Sequence, residues 1–466
     1  MKTIHLATKT LLSTTAFAFL FGIAPVHATT FDVTKPPFNA KGDGVTDDTA
    51  AIKLACSTAK AGDTVLFPAN HMYANTGFTA QSINLLGQGA SSVLIQTNPA
   101  GSAVVLTGTK PSMSLLTLLY RSTVATTANL PQAAGIWLNS ADDATVQQVT
   151  VGATSADSFY ASKSSGTLTN NKIYYQSMDV NNAGFDLVNC GIWKPYPGQA
   201  NSYILDSLNV ASNAIQVSGT GVLVRTGDAG IFENVIVGHN TQKGPGIKCV
   251  NASLIFPLVN TLKDLPAGGY VEQNPQYTGF NIPLTMGMSS TYTNCGATNS
   301  AAVSSLNPGI FFVVADTLNN SPGDGYLLQN TNNNGWNDMF LVYNNMTGVG
   351  NNGYDIQKVD GAIVWGTIQN VGRAALALTP NYGAAIIDIT AANCGLKDTH
   401  KNPLPGFDNA AIDIAKAATA TVTVAQCTYT GLAVNGLDYF IYDPHAGTGS
   451  TGNSSGQSML PSFLGP

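Results

Sequence analysis

The sequence predicts an all-β solenoid, a stack of similar coils in which each coil buries its apolar side on its neighbours. Three observations carry this. Short β-rich runs such as "TVQQVTVG", "FDLVNCGI", "YILDSLNV", "FENVIVG", "AIVWGTI" and "AAIIDIT" fill residues 130–430, separated by Asn, Gly and Asp. No helical pattern lies between them, which argues against an ordinary βαβ fold. Similar steps also recur near every twenty residues: "FDLVN" and "YILDSLN" place Asp186 and Asp206 twenty apart, and Gly353 and Gly372 stand nineteen apart. Finally, only 10% of the 466 residues are charged, against roughly 25% in a typical soluble domain. Gly, Asn, Thr and Ser fill the difference, which suits short strands joined by polar turns and not a disordered chain.

The elements follow in order. Residues 1–28 read as an export signal: Lys2 and Lys9 precede the apolar run "LLSTTAFAFLFGI", and "VHA" ends at Ala28. Its removal takes the net charge from −6 to −8. No other stretch is long enough to cross a bilayer, and the negative balance speaks against a nucleic-acid partner. The expected home is therefore outside the cell or in the periplasm. Six cysteines (Cys56, Cys190, Cys249, Cys295, Cys394 and Cys427) are either disulfide-forming, as export permits, or buried small apolar residues. No pair has the spacing of a zinc site.

In "FNAKGDGVTDDTAAI", Gly42 and Gly44 bracket Asp43 in turn chemistry. Thr46 or Asp47 can then accept from the first turn of a helix, with Asp48 at its positive end. "AAIKLACSTAK" continues as a short amphipathic helix ending near Gly62, and "DTVLFP" is a strand stopped by proline. All three aspartates read as structural. From Phe31 to about Thr97, including "INLLGQGASSVLIQ", the chain resembles the opening of the pectate-lyase-like superfamily, in the branch shared by rhamnogalacturonase and epimerase-like proteins, polygalacturonases and phage tailspikes. The resemblance implies a right-handed parallel β-helix with the helix capping its N-terminal end. One such domain would span 29–444, with a flexible tail over 445–466. Residues 254–308, rich in Pro, Gly, Thr and Asn, read as a loop excursion whose Tyr270, Tyr277, Phe280 and Tyr292 would wall a groove.

Aligning three coils places Asp186, Asp206 and Glu233 in one column, with Arg225, His239 and Lys248 nearby in the chain. Stacked carboxylates about 5 Å apart repel by roughly 3 kcal/mol at an effective dielectric near 20. They would share a proton, giving a general acid beside a base, or bind a cation such as Ca²⁺. The first outcome suits a glycosidase. The second suits a lyase, with Arg225 or Lys248 as base. The plain alternative is a column of turn residues bonding local backbone. The polygalacturonase motifs are not reproduced: Asn240 follows Gly238-His239 where a glycine is expected, and Gly246 precedes Ile247-Lys248 where an arginine is expected. The expected function is an exported protein that cleaves a polysaccharide by β-elimination or hydrolysis. The alternative is a glycan-binding or adhesin-like protein without catalysis.

Overall fold

Where the sequence shows one long β-rich run, the chain makes two short strands with a corner between them. "AIVWGTI" falls within Asp360–Val364 and Thr367–Val371, and "AAIIDIT" splits into Gly383–Ile387 and Thr390–Ala392. The breaks fall on Trp365 and Asp388, with φ of 54° and 55°. A left-handed residue turns the chain sharply, and one further residue delivers it to the next sheet. Repeated coil after coil, this builds a right-handed parallel β-helix. The computed structural model describes residues 28–121, 133–152, 156–176, 182–190, 192–195, 203–206, 208–217, 219–227, 230–233, 236–237, 242–275, 283–331, 337–396, 410–415, 421–430, 439–442 and 458–459.

Each coil contributes one strand to each of three sheets, here named A, B and C in the order the chain visits them. Each sheet has fifteen strands. The described neighbours within them are parallel except at the C-terminal end, where Ser458–Met459 pairs antiparallel with Tyr439–Tyr442. Those two residues thus carry a strand where the sequence suggested a flexible tail. The first coil has no strand in sheet C. In its place stands helix α1, Thr49–Thr58, packed against Phe78–Gln81, the first strand of that sheet. Ile52, Ala55 and Cys56 enter the core there, beside Val33, Phe38 and Val65.

The three aspartates before α1 shape backbone. Asp43 Oδ1 accepts from the amides of Val45 and Thr46 at 2.9 and 2.7 Å, and those bonds hold its carboxyl down at about 2. Asp47 accepts from the Thr49 amide at 2.9 Å. Asp48 turns away from the helix instead and takes the amides of Lys41 and Gly42 at 2.7 and 3.0 Å.

Alternate residues of each strand fill the interior (Leu85, Val146, Leu168 and Leu341 are fully buried) while their neighbours face outward. Aromatic rings stack along the lumen, with Phe159 and Phe185 4.6 Å apart and Tyr326 and Tyr354 5.3 Å apart. The corner between sheets A and B is the other repeated device. Its first residue is left-handed, as at Gln148, Asn170, Ser212, Val259, Ser289, Ala315 and Tyr343. Its second is often a buried polar residue whose side chain accepts the amide of the equivalent residue one coil earlier. Asn171 takes the Val149 amide at 3.0 Å, Asp316 that of Ser290 at 2.8 Å, and Asn344 that of Asp316 at 2.9 Å. Buried amides are thereby satisfied without charge.

One sequence expectation is corrected here, and one open alternative is decided. Residues 254–308 are not a loop excursion: they make strands Leu254–Leu258, Thr261–Leu265, Tyr270–Gln273, Leu284–Met288, Thr291–Cys295 and Val303–Leu306. Tyr270 and Tyr292 are buried in the core, so they wall no groove; Tyr277 and Phe280 lie outside the described residues. The Pro and Gly content that suggested a loop serves tight corners. The six cysteines are free thiols, five of them buried, so the apolar alternative holds.

Two stability tests follow. Ala315 has φ 61°, and a left-handed alanine costs about 1 kcal/mol that glycine avoids; Ala315→Gly is expected to raise stability by about that amount in urea denaturation. Glu272 lies inside the lumen, accepting from Asn274 Nδ2 at 2.7 Å, Ser305 Oγ at 2.9 Å and Thr285 Oγ1 at 3.1 Å. Burial nevertheless pushes its carboxyl up to about 7. An acid raised on folding carries no penalty below its unfolded pKa. The penalty grows as the unfolded chain ionises, between about 4 and 7, and levels off near 3 kcal/mol above that. The unfolding midpoint should fall across that window, and it should fall less in Glu272→Gln.

Candidate functional site

The outward face of sheet C gathers the acids. Along it, register places Trp137, Tyr160, Asp186, Leu223 and Lys248 on successive strands. Arg225 stands one strand beyond Asp186 and two residues further along, opposite Val188. From that diagonal its guanidinium reaches back and grips both carboxylate oxygens: Nε donates to Oδ1 at 3.1 Å and Nη2 to Oδ2. Asp186 has no exposed surface, and the Arg225 side chain is 34% exposed.

A second carboxyl completes the set. Asp157 occupies the turn that feeds the strand Phe159–Ser162, one coil before Asp186, and is 1% exposed. Its Oδ1 accepts the Ala183 amide at 2.6 Å. Its Oδ2 receives no N–H or O–H from the described residues. Burial, then the charge of Asp186, holds Asp157 well above the usual carboxylate range. Burial also raises Asp186, but the Arg225 guanidinium pulls it back. Geometry points the same way: Arg225 engages both oxygens of Asp186, which favours its ionised form, whereas Asp157 Oδ2 has room for a proton. A retained proton on Oδ2 also explains how two buried carboxyls face each other without repulsion.

Aromatic side chains flank the pair. The Tyr160 strand pairs directly with that of Asp186, and the Trp137 and Tyr160 rings meet edge-on at 6.4 Å and 70°. Burial, then the Asp186 charge, raises the Tyr160 phenol. The constellation is a proton donor, an anion fixed by a bidentate cation, and two rings beside them.

The column drawn from sequence does not form. Asp186 lies on sheet C. Asp206 ends the strand Tyr203–Asp206 of a separate antiparallel hairpin, opposite Ile192. Glu233 lies on sheet A, between Ala211 and Leu258. The error is one of coil length. Val149 and Asn171 occupy one corner position 22 residues apart, but the next equivalent, Asn213, comes after a further 42, because the hairpin is inserted between them. Of the remaining expected residues, Arg225 joins Asp186 directly. Lys248 shares the outward column two strands away, and His239 lies outside the described residues. Asp157, Tyr160 and Trp137 were missed. The signal available was an acid two residues before a lumen aromatic in "ADSFY".

That signal recurs: Asp324 precedes Tyr326 by the same step, and Asp355 follows Tyr354 on the next coil as Asp186 follows Phe185. Burial raises Asp324 to about 6 and also raises Asp355, with Arg373 opposing both. This second set is more open and has no flanking ring pair. A groove of about 560 Å³ lies elsewhere, at the corner of sheets A and B, lined by residues such as Gln148, Asn170, Lys172 and Ser212. Among the described residues its lining holds one ionisable side chain, Lys172, and no carboxyl to pair with it. No group of three or more His, Cys, Asp or Glu suited to a metal ion occurs among the described residues.

No protein-family model and no curated protein sequence matches the chain. Solved structures do. The catalytic unit of a thermostable GH87 α-1,3-glucanase from Streptomyces thermodiastaticus aligns with TM-score 0.53 and 15% identity over 88% of this chain and 70% of that one. An exopolygalacturonase from Thermotoga maritima aligns with TM-score 0.40 and 9% identity, over 88% of this chain and 94% of that one. The A-module of a mannuronan C-5 epimerase from Azotobacter vinelandii aligns with TM-score 0.37 and 13% identity, over 86% and 100%. The glucanase likeness shows the fold that the chain's own strands describe.

Removing the cation tests the electrostatics. Arg225→Ala would strand a buried carboxylate at neutral pH, a loss of about 2–3 kcal/mol, at the lower end for buried pairs because the guanidinium is partly solvated. Protonated Asp186 needs no partner, so the deficit should shrink in mild acid. Urea denaturation of both proteins at the two pH values measures it.

Proposed function

We propose that this chain is an exported hydrolase of polysaccharides that cuts glycosidic bonds at the Asp157–Asp186 pair. The observation that carries the reading is a buried two-carboxyl set in which Arg225 grips both oxygens of Asp186 while Asp157 keeps one oxygen that receives no hydrogen bond from the described residues. Glycoside hydrolysis asks for that division: one acid protonates the leaving oxygen while a carboxylate serves as nucleophile or base on the sugar carbon. Asp157 takes the first role and Asp186 the second. Trp137 and Tyr160 supply apolar ring surface of the kind on which sugars stack. The export signal read at residues 1–28 places such a substrate outside the cell or in the periplasm. The glucanase of like fold makes α-1,3-glucan a sensible first substrate to offer.

A second reading, a glycan-binding protein without turnover, is favoured by the complete burial of Asp186 and the engagement of both its oxygens by Arg225. The lyase reading, with Ca²⁺ and Arg225 or Lys248 as base, draws less support, because Arg225 is committed to Asp186.

One assay separates these. The chain without residues 1–28 is incubated with neutral glucans, α-1,3-glucan among them, and with polygalacturonate, with and without calcium. New reducing ends without unsaturated sugars are expected, and Asp157→Asn should lower turnover about 10²–10⁴-fold while leaving the fold intact by circular dichroism. Unsaturated ends dependent on calcium would establish the lyase. Binding without product would establish the binder.

A further inference from the structure

The outward face of sheet A changes character halfway along the solenoid. In the first half one outward column reads Ser112, Thr145, Thr167, Asn209. By register the same column continues as Phe256, Met286, Phe312, Phe340 and then Ala362 and Ala385. The parallel column changes likewise, from Gln147 and Thr169 to Leu258, Met288, Val314, Val342, Val364 and Ile387. Sheet B provides the internal control. Over the same coils its outward column is Thr261, Thr291, Thr317, Asn345, Thr367 and Thr390. A face meant for water is built of threonine in this protein, and this one is not.

The apolar side chains are open to solvent in the single chain. Met288 is 49% exposed, Phe340 42% and Trp365 47%. Of the eleven exposed large apolar side chains among the described residues, seven stand on this face or on its flanking corners. Tyr343 and Trp365, stacked at 5.0 Å and 19°, form one rim, and both are held in the left-handed conformation that bulky residues avoid. Six neighbouring strands carry the patch, from Leu254–Leu258 to Gly383–Ile387. At about 4.8 Å per strand and 3.3 Å per residue it spans roughly 29 by 17 Å, on the order of 500 Å². That falls in the upper part of the roughly 300–600 Å² of the largest patch on an ordinary monomer, a patch that is often functional.

We propose that this face is a self-association surface on which two copies of the chain pack sheet to sheet. Area is the first argument. Two such faces bury on the order of 1,000 Å² or more, the size a specific interface requires. Periodicity is the second. A second copy brings the same two apolar columns at the same pitch, so ridges meet furrows along the whole patch, as in sheet-on-sheet packing under a two-fold axis. A partner without that repeat matches only part of it. A glycan is a poor occupant, because the two columns offer no side-chain hydrogen-bonding group from Phe256 to Ile387. The polar Asp338 and Asp360 lie in a third outward row, at one edge of the face.

The test uses the unaltered protein first. Met286 and Met288 are exposed thioethers on the face, while Met72, 44% exposed, stands on sheet B. Peroxide oxidation, read residue by residue by mass spectrometry, should slow several-fold at Met286 and Met288 as protein concentration rises, with Met72 unaffected. Sedimentation equilibrium should give twice the mass of one chain at the higher concentrations. Phe340→Lys should return the protein to single chains, while Thr145→Lys on the polar half should not. A single-chain mass at every concentration would overturn the proposal. So would protection independent of concentration, because a cover supplied by the chain itself does not depend on it. Protection gained only on adding a glucan would assign the face to sugar instead. None of these readouts involves turnover, so they stand or fall apart from the proposed hydrolysis.

Discussion

The register of one coil on the next is the constraint on which this molecule rests, and the corner between sheets A and B enforces it. A left-handed residue turns the backbone, and a buried Asn, Ser or Asp then reaches the amide of its counterpart one coil away. Each such bond fixes two coils relative to each other at a corner where the strands' own ladder is interrupted. The cost is a row of buried polar groups, tolerable because each finds a fixed partner. Asp316 shows the limit of the device. In a position where its neighbours are neutral, burial pushes its carboxyl up to about 7, so it gives up its charge in mild acid. A chain built in this way can use few charges, which is the physical content of its charge-poor composition.

Register also separates spatial neighbourhood from sequence distance. Asn171 and Asn213 are adjacent corner residues although 42 positions apart, because the hairpin Ile192–Pro195 with Tyr203–Asp206 leaves the stack and returns without shifting it. Periodicity of apolar residues therefore revealed the solenoid but not its coil boundaries. The opening segment was legible in detail because turn and cap chemistry is local: Asp43 and Asp47 bond residues two or three positions away. The left-handed corners were not legible, since Trp365, Tyr343 and Val259 belong to the residue types that strands prefer. Asp186 was singled out by a coil alignment that the register overturns, and Arg225 by standing near it in the chain. Asp157 was not, because its partner Ala183 lies 26 residues on and nothing local marks that contact.

The three outward faces divide the surface by chemistry. Sheet B presents threonine columns to water, sheet A turns apolar in its second half, and sheet C carries the acids and the rings beside them. Since side chains alternate in and out along every strand, the lumen and each face can vary independently at constant backbone. The acid pair of sheet C and a contact surface on sheet A would thus not compete for residues. Two copies joined through sheet A would leave both sheet C faces free, which suits a long polymeric ligand lying along the coils.

Architecture alone does not account for Asp157, Asp186 and Arg225. Where the solenoid needs a buried acceptor for a backbone amide, asparagine serves at Asn171, Asn213 and Asn344, and aspartate at Asp316. An asparagine at position 157 could accept the Ala183 amide equally well, without a proton to retain. Buried ion pairs seldom stabilise more than well-packed apolar residues of similar volume, and apolar residues occupy much of the same outward column, at Leu223 and Val271. Ionisable groups at these three positions therefore cost stability that the fold does not require, and they are concentrated where two aromatic rings meet the same face. Such an arrangement is expected when the protonation states themselves are used, one acid kept neutral and its neighbour kept charged.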